Sequence, residues 1–424
     1  MTALESEPRS TSAARYWVPL ILVVSLFFMW GVANNLNDIL IRQFQKAFVL
    51  TDLQSGLVQS AFYLGYFFLA IPAGLFMRRF GYKAAVVVGL MGYAGGAFLF
   101  YPAAEAHSYL FFLGALFVIA SGLAFLEASA NPLITVLGPP ETSERRLNLA
   151  QAFNPLGSIA GVLIGRQFIL SGVEHSPETL AAMTPAARDA YLAAESAAVQ
   201  GPYLVIGLIV VAWALLILFT RFPALRDDVD EPSSVSGGGL GAALSHRPLR
   251  MAVIAQFFYV GAQVGVWSYL IRYAIGTVPG TPERVAADFL TISLVAFMGG
   301  RFVGAFLMRF LSPARLLALF GLINVVLTVF AVLQPGMTGL YALVASSFFM
   351  SVMYPTIFAL GIRGLGEARK SGSSLLVMAI IGGAVLTAAM GALSDATSIA
   401  TAYLVPVACY AFIIYFALRV QRKA

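Results

Sequence analysis

Apolar stretches about 20 residues long recur along the whole chain, and this pattern constrains the fold more than any other feature. A helix needs about 20 such residues to cross the hydrocarbon core of a bilayer. Membrane β-strands would be shorter and would alternate in polarity, whereas runs such as 84–100 are apolar on every face. The pattern therefore predicts an all-α membrane protein with twelve spans, at 17–47, 55–77, 83–102, 109–137, 147–171, 202–221, 250–275, 287–310, 314–333, 338–364, 373–394 and 401–420.

The distribution of Lys and Arg predicts how these spans are oriented in the membrane. Charged residues make up 11% of the 424 residues, against about 25% in soluble domains. The net charge of +6 would suggest nucleic acid for a soluble protein, but most of the 26 Lys and Arg fall in the tails and in the even-numbered loops. Both termini are therefore predicted to be cytoplasmic, in a multi-pass protein of the inner (plasma) membrane with lipid around it and no nucleic-acid partner.

An internal repeat divides the spans into two halves. Gly, Arg and Pro fall in register between the halves, and the matched segments are 27–28 with 257–258, 40–42 with 270–272, 74–80 with 304–310 and 131–138 with 354–361. Two parallel six-helix repeats follow, with a solute site expected near the midplane between them. The predicted domains are an N-terminal tail (1–16), a six-helix bundle (17–222), a cytoplasmic linker (223–247) and a second six-helix bundle (248–424). In the polar external segment after span 5, Pro177 and Pro185 are typical of the starts of short surface helices.

Two carboxylates lie well inside spans, Asp38 in span 1 and Glu127 in span 4. A charged side chain at the bilayer centre costs about 3 kcal/mol, so such residues usually face a cavity on a proton or substrate path. Both are predicted to couple transport to protons. The alternative is a fixed structural role, and for Asp38 an ion pair with Arg42, one turn away, would keep the carboxylate charged.

Amide and aromatic side chains form the candidate substrate site. Sugar hydroxyls are bound by carboxamides and carboxylates, and aromatic rings pack on the C–H faces of sugars. The candidates are Glu127, Asn131, Gln151, Asn154, Gln263, Trp267 and Tyr354. Some of these amides could instead bridge helices, and packing explains the aromatics of the second half equally well. Arg301, near the middle of span 8, could pair with an acid or line the pathway.

Several segments resemble a known family. The two-fold six-span plan and the loop Arg78-Arg79-Phe80-Gly81-Tyr82-Lys83 resemble the major facilitator superfamily. Segments 32–40, 126–132, 147–154 and 353–357 are similar to its L-fucose:H+ symporter branch, which includes glucose and galactose transporters. This resemblance implies the major facilitator fold. It also implies that Asp38 and Glu127 are essential acids, that Glu127 lies at the sugar, and that Asn35, Gln151 and Asn154 line the polar cavity.

The predicted function is proton-coupled symport of a neutral hexose or 6-deoxyhexose, with L-fucose as the leading candidate. The proton gradient is the energy source and no cofactor is expected, since Gly237-Gly238-Gly239 is not part of a P-loop. The alternatives are a D-glucose or D-galactose symporter, a proton-coupled drug antiporter, and a sugar-sensing receptor that transports nothing. An enzyme is not expected, because no nucleophile–base or metal-ligand pattern is present and the three His fall in connections. The protein is predicted to act as a monomer.

Overall fold

The structure of the protein is a computed structural model that describes residues 11–50, 57–137, 139–169, 177–222 and 240–421. Helices dominate these ranges, as the hydropathy pattern predicts. Within span 1, the backbone is described but the side chains of Asn35, Asn37, Asp38 and Arg42 are not. The predictions made for the side chains of Asn35, Asp38 and Arg42 therefore lie outside the described residues.

Eleven helical segments of the described chain are long and apolar enough to cross a membrane. One of them, Ser60–Glu105, contains both predicted spans 2 and 3, so the eleven segments account for all twelve predicted spans. The helices of the first six spans are Thr11–Phe48, Leu57–Glu105 (spans 2 and 3), Tyr109–Val136, Ser143–Gln151 with Phe153–Phe168 (span 5), and Gln200–Phe219.

The second six spans follow the same plan. Their helices are Arg247–Thr277, Glu283–Leu307, Pro313–Leu333, Met337–Met350 with Met353–Ile362 (span 10), Arg369–Met378 with Gly382–Ala396 (span 11), and Ile399–Ala402 with Leu404–Gln421 (span 12). Part of the predicted linker, residues 223–239, lies outside the described residues, and a short helix, Leu240–Ser245, occupies its end. The predicted domain boundaries stay predictions.

Spans 2 and 3 are joined by a single glycine rather than by a longer loop. Gly81 has φ 80 and ψ 173 inside an otherwise helical run, and this conformation separates the two spans. A side chain at positive φ is strained, so glycine is the residue that permits so sharp a change of direction.

Several predicted spans are interrupted, which the hydropathy pattern did not indicate. Span 5 breaks at Ala152 and span 10 breaks at Ser351 and Val352. Each break ends three residues before a proline, Pro155 or Pro355. Proline has no N–H to continue the helix, and its ring crowds the carbonyl four residues earlier, which gives a physical reason for both breaks.

The segment after span 5, which the charge distribution predicts to be external, forms the two short helices predicted from its prolines, Pro177–Ala182 and Pro185–Ala197. The second helix is fastened to span 1 by a buried contact. Gln43 Nε2 donates to the carboxylate Oε2 of Glu195 at 2.7 Å and to the Glu195 carbonyl at 2.8 Å. Both side chains are buried, so this contact ties the external segment to the bundle.

Glycines allow equivalent helices of the two halves to pack closely. A Cβ on Gly157 of span 5 would collide with the backbone of Phe28, and one on Gly382 of span 11 would collide with the backbone of Phe257. Phe28 and Phe257 belong to the repeated Phe-Phe pairs of spans 1 and 7. The repeat matches Phe28 with Phe258 rather than with Phe257, so the close packing recurs between equivalent helices of the two halves but not at equivalent residues.

The two halves meet at the end of the bundle that carries the N-terminus and the even-numbered loops. Gly74 of span 2 packs against Ser374 of span 11 there. Nearby, Arg363 pairs with the largely buried Glu144 at 3.6 Å. This end, which the charge distribution predicts to be cytoplasmic, is therefore closed between the halves.

Candidate functional site

One face of span 5 forms a ladder of polar contacts to the second half. Glu144, Asn148 and Gln151 are spaced four and three residues apart, so they share a helical face. Asn148 Nδ2 donates to Thr356 Oγ1 at 3.2 Å, one turn further into the bundle than the pair of Glu144 with Arg363. The next turn places Gln151 against Arg301. The ladder therefore leads from the closed end of the bundle to the buried polar groups.

Glu127 lies at the inner end of this ladder. Its side chain is 1% exposed, and its Oε1 accepts a hydrogen bond from the hydroxyl of Tyr354 in the second half. Its Oε2 has no hydrogen-bond partner among the described residues. A buried carboxylate oxygen without a partner is costly, so this atom is placed to accept a proton or a ligand hydroxyl.

Asn131 and Gln151 continue the polar surface from Glu127. Asn131 follows Glu127 by one turn of span 4, and its Oδ1 accepts a hydrogen bond from Gln151 Nε2 at 3.0 Å. The Nδ2 of Asn131 has no partner in the described part of the chain. The two open atoms on one helix face, an acceptor on Glu127 and a donor on Asn131, suit a hydroxylated ligand.

Arg301 connects this amide pair to the second half. Its Nη1 donates to Gln151 Oε1 at 3.0 Å and also to the Gln151 carbonyl, while its Nε donates to the Ser351 carbonyl at 3.0 Å. The sequence analysis left two roles open, pairing with an acid or lining the pathway. Among the described side chains, the polar partners of Arg301 are carbonyl and amide oxygens rather than a carboxylate.

The second half supplies aromatic groups around the same region. Trp267 Nε1 donates a hydrogen bond to Ser347 Oγ at 3.1 Å. The Trp267 ring packs edge-on against the Phe297 ring, with 4.9 Å between the ring centroids. The Tyr354 ring lies 6.1 Å from that of Tyr259, which is fully buried. Gln263 is half-buried on span 7, one turn before Trp267. The structure thus brings Tyr354 directly to Glu127 and leaves the contribution of Gln263 a prediction.

Asn154 has a helix-bridging contact. Its Nδ2 donates to the carbonyl of Phe27 in span 1 at 3.3 Å, and the residue is half-buried. One amide hydrogen is therefore engaged with the backbone of a neighbouring span. Its predicted contact with substrate stays a prediction, as do those of Asn35 and Asp38, whose side chains are not described.

Tyr66 is a residue of this site that the sequence analysis missed. It lies in span 2, is 3% exposed, and is close enough to Glu127 for the two groups to interact electrostatically. Its hydroxyl and the indole N–H of Trp30 are neighbours, although neither group makes a hydrogen bond of good geometry in the described ranges. A lone tyrosine in an aromatic-rich span gives no sequence signal, because packing alone explains most such residues.

The comparisons with known proteins agree with one another. The sequence profile of the Major Facilitator Superfamily matches residues 20–388. The L-fucose-proton symporter of Escherichia coli (strain K12) is 50% identical over 408 residues, which cover 95% of this chain and 93% of that protein. The Glucose/galactose transporter of Brucella abortus biovar 1 (strain 9-941) is 39% identical over 410 residues, covering 96% of this chain and 95% of that protein.

Solved structures show the same likeness. The crystal structure of FucP, a Major Facilitator Superfamily transporter in the outward conformation, superposes with a TM-score of 0.89 at 49% identity, covering 96% of this chain and 99% of that one. The proton:xylose symporter XylE, bound to 6-bromo-6-deoxy-D-glucose, superposes with a TM-score of 0.72 at 13% identity, covering 96% of each chain. The second likeness concerns the fold alone.

Proposed function

Since this chain belongs to the major facilitator superfamily, we propose that it is a secondary active transporter that carries a neutral hexose or 6-deoxyhexose together with protons. L-fucose is the first candidate, because the L-fucose-proton symporter of Escherichia coli is 50% identical over almost the whole chain. The observation that carries the proposal is the buried Glu127. One of its oxygens accepts a hydrogen bond from Tyr354 across the halves, and the other is buried without a hydrogen-bond partner among the described residues.

The polar groups around Glu127 would bind the sugar. The open Oε2 of Glu127 accepts a sugar hydroxyl, and the open Nδ2 of Asn131 donates to a neighbouring one. Gln151 keeps Asn131 oriented through the 3.0 Å bond between their amides. Tyr354 and Trp267 offer ring faces to the C–H surface of the sugar, with Asn35, Asn154 and Gln263 completing the proposed set.

Protons provide the driving force, and no cofactor is needed. Glu127 senses the sugar, and Asp38, in the half of span 1 nearer the external segment, exchanges its proton with the outside or with a relay. A neutral carboxyl group is cheaper to carry through a conformational change in a membrane than a charged one, so protonation permits the loaded halves to rock.

A D-glucose or D-galactose symporter is the second candidate. It is favoured by the 39% identity to the Glucose/galactose transporter of Brucella abortus. A drug antiporter would need a larger apolar cavity than this set of carboxamides provides. A receptor that transports nothing would bind sugar but would not exchange it across a membrane, so counterflow of labelled sugar separates it from a symporter.

The proposed function also covers the membrane in which the protein lies and its oligomeric state. The protein would lie in the inner (plasma) membrane with both termini cytoplasmic, because the basic residues concentrate in the tails and even-numbered loops. It would act as a monomer, because Glu127, Asn131, Gln151, Arg301 and Tyr354 of one chain meet without a second copy.

A binding panel on the purified protein tests the substrate class. L-fucose, D-arabinose, D-galactose, D-glucose and N-acetylglucosamine would be titrated and read by tryptophan fluorescence, since Trp267 belongs to the proposed sugar site. We expect L-fucose to bind most tightly. Binding of lipophilic cations with no response to any sugar would overturn the proposal in favour of a drug antiporter.

A further inference from the structure

Arg301 holds carbonyl groups from both halves of the protein. Its side chain is 4% exposed, and its guanidinium lies over the Phe297 ring at 4.7 Å. Nε donates to the Ser351 carbonyl of span 10, which belongs to the same half as Arg301. Nη1 donates to the carbonyl and the Oε1 of Gln151, which belongs to the other half. One planar group therefore spans the boundary between the halves.

Both carbonyls lack their usual helical partner. Gln151 lies four residues before Pro155, and Ser351 lies four residues before Pro355. A helical carbonyl normally accepts from the N–H four residues later, but proline has none. An unpaired carbonyl inside a membrane protein is costly, so each of these two positions requires an outside donor. Arg301 supplies a donor to both.

The positive charge of Arg301 is stabilised by the dipoles of backbone carbonyl groups and a side-chain amide. A guanidinium stays protonated in proteins, so burial leaves a full charge between the halves. Within the described part of the chain, no carboxylate forms an ion pair with it, and its hydrogen bonds go to two carbonyls and one amide oxygen. These contacts are stronger than bonds between neutral groups because one partner is charged.

We propose that Arg301 is a positioning residue that latches the two halves together between the buried polar site and the terminus-bearing end. When the halves separate at the terminus-bearing end, the hydrogen bond from Arg301 Nε to the Ser351 carbonyl remains, because both residues belong to the same half. The hydrogen bonds from Nη1 to Gln151, in the other half, break. Because Gln151 Nε2 donates to Asn131, the same contact orients the amides beside Glu127. Arg301 thus couples the arrangement of the site to the closed state. The inference rests on the proposed alternating-access transport.

A buried reporter thiol measures whether the latch is closed. Ser374 is fully buried and packs against Gly74 across the boundary, so Ser374→Cys reacts with N-ethylmaleimide only when the halves part. The background is Cys409→Ser, which removes the native thiol. Ser293→Cys, fully buried in span 8, reports general loosening of the protein. The assay needs neither sugar nor a proton gradient, so its result is independent of a failure to transport, which counterflow detects separately.

Arg301→Gln is expected to raise the labelling rate of Ser374→Cys at least about tenfold, the effect of losing a hydrogen bond to a charged group. Arg301→Lys should raise it as well, because an ammonium lacks the fork that spans two carbonyls. Labelling of Ser293→Cys should not change. Arg315→Gln, which alters an exposed arginine near the same end, is the matched control and should leave both rates unchanged.

Pro155→Ala provides a test that keeps Arg301 intact. It places an N–H within reach of the Gln151 carbonyl, which then competes with Arg301, so the Ser374→Cys rate should rise. Unchanged labelling in folded Arg301→Gln and Pro155→Ala proteins would overturn the proposal. An equal rise at Ser374→Cys and Ser293→Cys would also overturn it, because that result indicates general loosening.

Discussion

The hydroxyl of Tyr354 donates a hydrogen bond to the carboxylate of Glu127, although the two residues lie in opposite halves of the protein. Both side chains are almost fully buried. The bond joins the central acid of the first half to the broken helix of the second half. Under the proposed transport cycle, sugar binding or protonation at Glu127 would act directly on a contact between the two halves.

Tyr354→Phe should weaken sugar binding while preserving the ring. The substitution removes the donor that orients Glu127, and a hydrogen bond to a charged group contributes about 1.5–3 kcal/mol, so Kd should rise at least about tenfold. Tryptophan fluorescence titration with L-fucose measures this change. Tyr341→Phe is the control, because Tyr341 is 58% exposed and remote from Glu127. An unchanged Kd in Tyr354→Phe would show that the bond does not position the acid.

Gln43→Ala should lower stability with little effect on sugar binding. It removes the buried bonds to Glu195 and leaves the Glu195 carboxylate without this donor, at a cost of about 1.5–3 kcal/mol. The melting temperature in detergent should fall. Gln200→Ala removes an exposed bond to the Tyr101 carbonyl and should change it much less. Equal melting temperatures for the two variants would contradict a fastening role for Gln43.

Gly157→Ala should destabilise the first half. The added Cβ would collide with the Phe28 backbone, which cannot move without separating span 1 from span 5. A new side-chain atom in a packed contact costs about 1–3 kcal/mol. The matched substitution Gly114→Ala meets open space and should leave stability unchanged. The yield of monodisperse protein and its melting temperature compare the variants, and equal values would argue against close packing at Gly157.

The sequence predicted the spans well, for physical reasons. A run of about 20 apolar residues has few ways to satisfy its backbone except as a membrane helix. Glu127 stood out because an acid in such a run is costly. Pro177 and Pro185 marked the short external helices, since the proline ring fixes the backbone for a first turn.

The contacts between the two halves could not be predicted from the sequence. The pairing of Glu127 with Tyr354, and of Gln151 with Arg301, depends on how two distant bundles pack against each other. Local periodicity carries no information about such partners. One usable signal was present: Pro155 and Pro355 each leave a carbonyl without a donor, and the buried Arg301 is a residue able to supply one.

In the proposed transport cycle, protons drive sugar accumulation through Asp38 and Glu127. This coupling is tested most directly by uptake of labelled L-fucose into proteoliposomes with an imposed pH gradient, acidic outside. Glu127→Gln keeps an oxygen that can accept from Tyr354 but cannot titrate, and Asp38→Asn changes the other acid in the same way. We predict accumulation above equilibrium for the unmodified protein and none for either folded variant. Uphill accumulation by both variants, equal to that of the unmodified protein, would contradict the account.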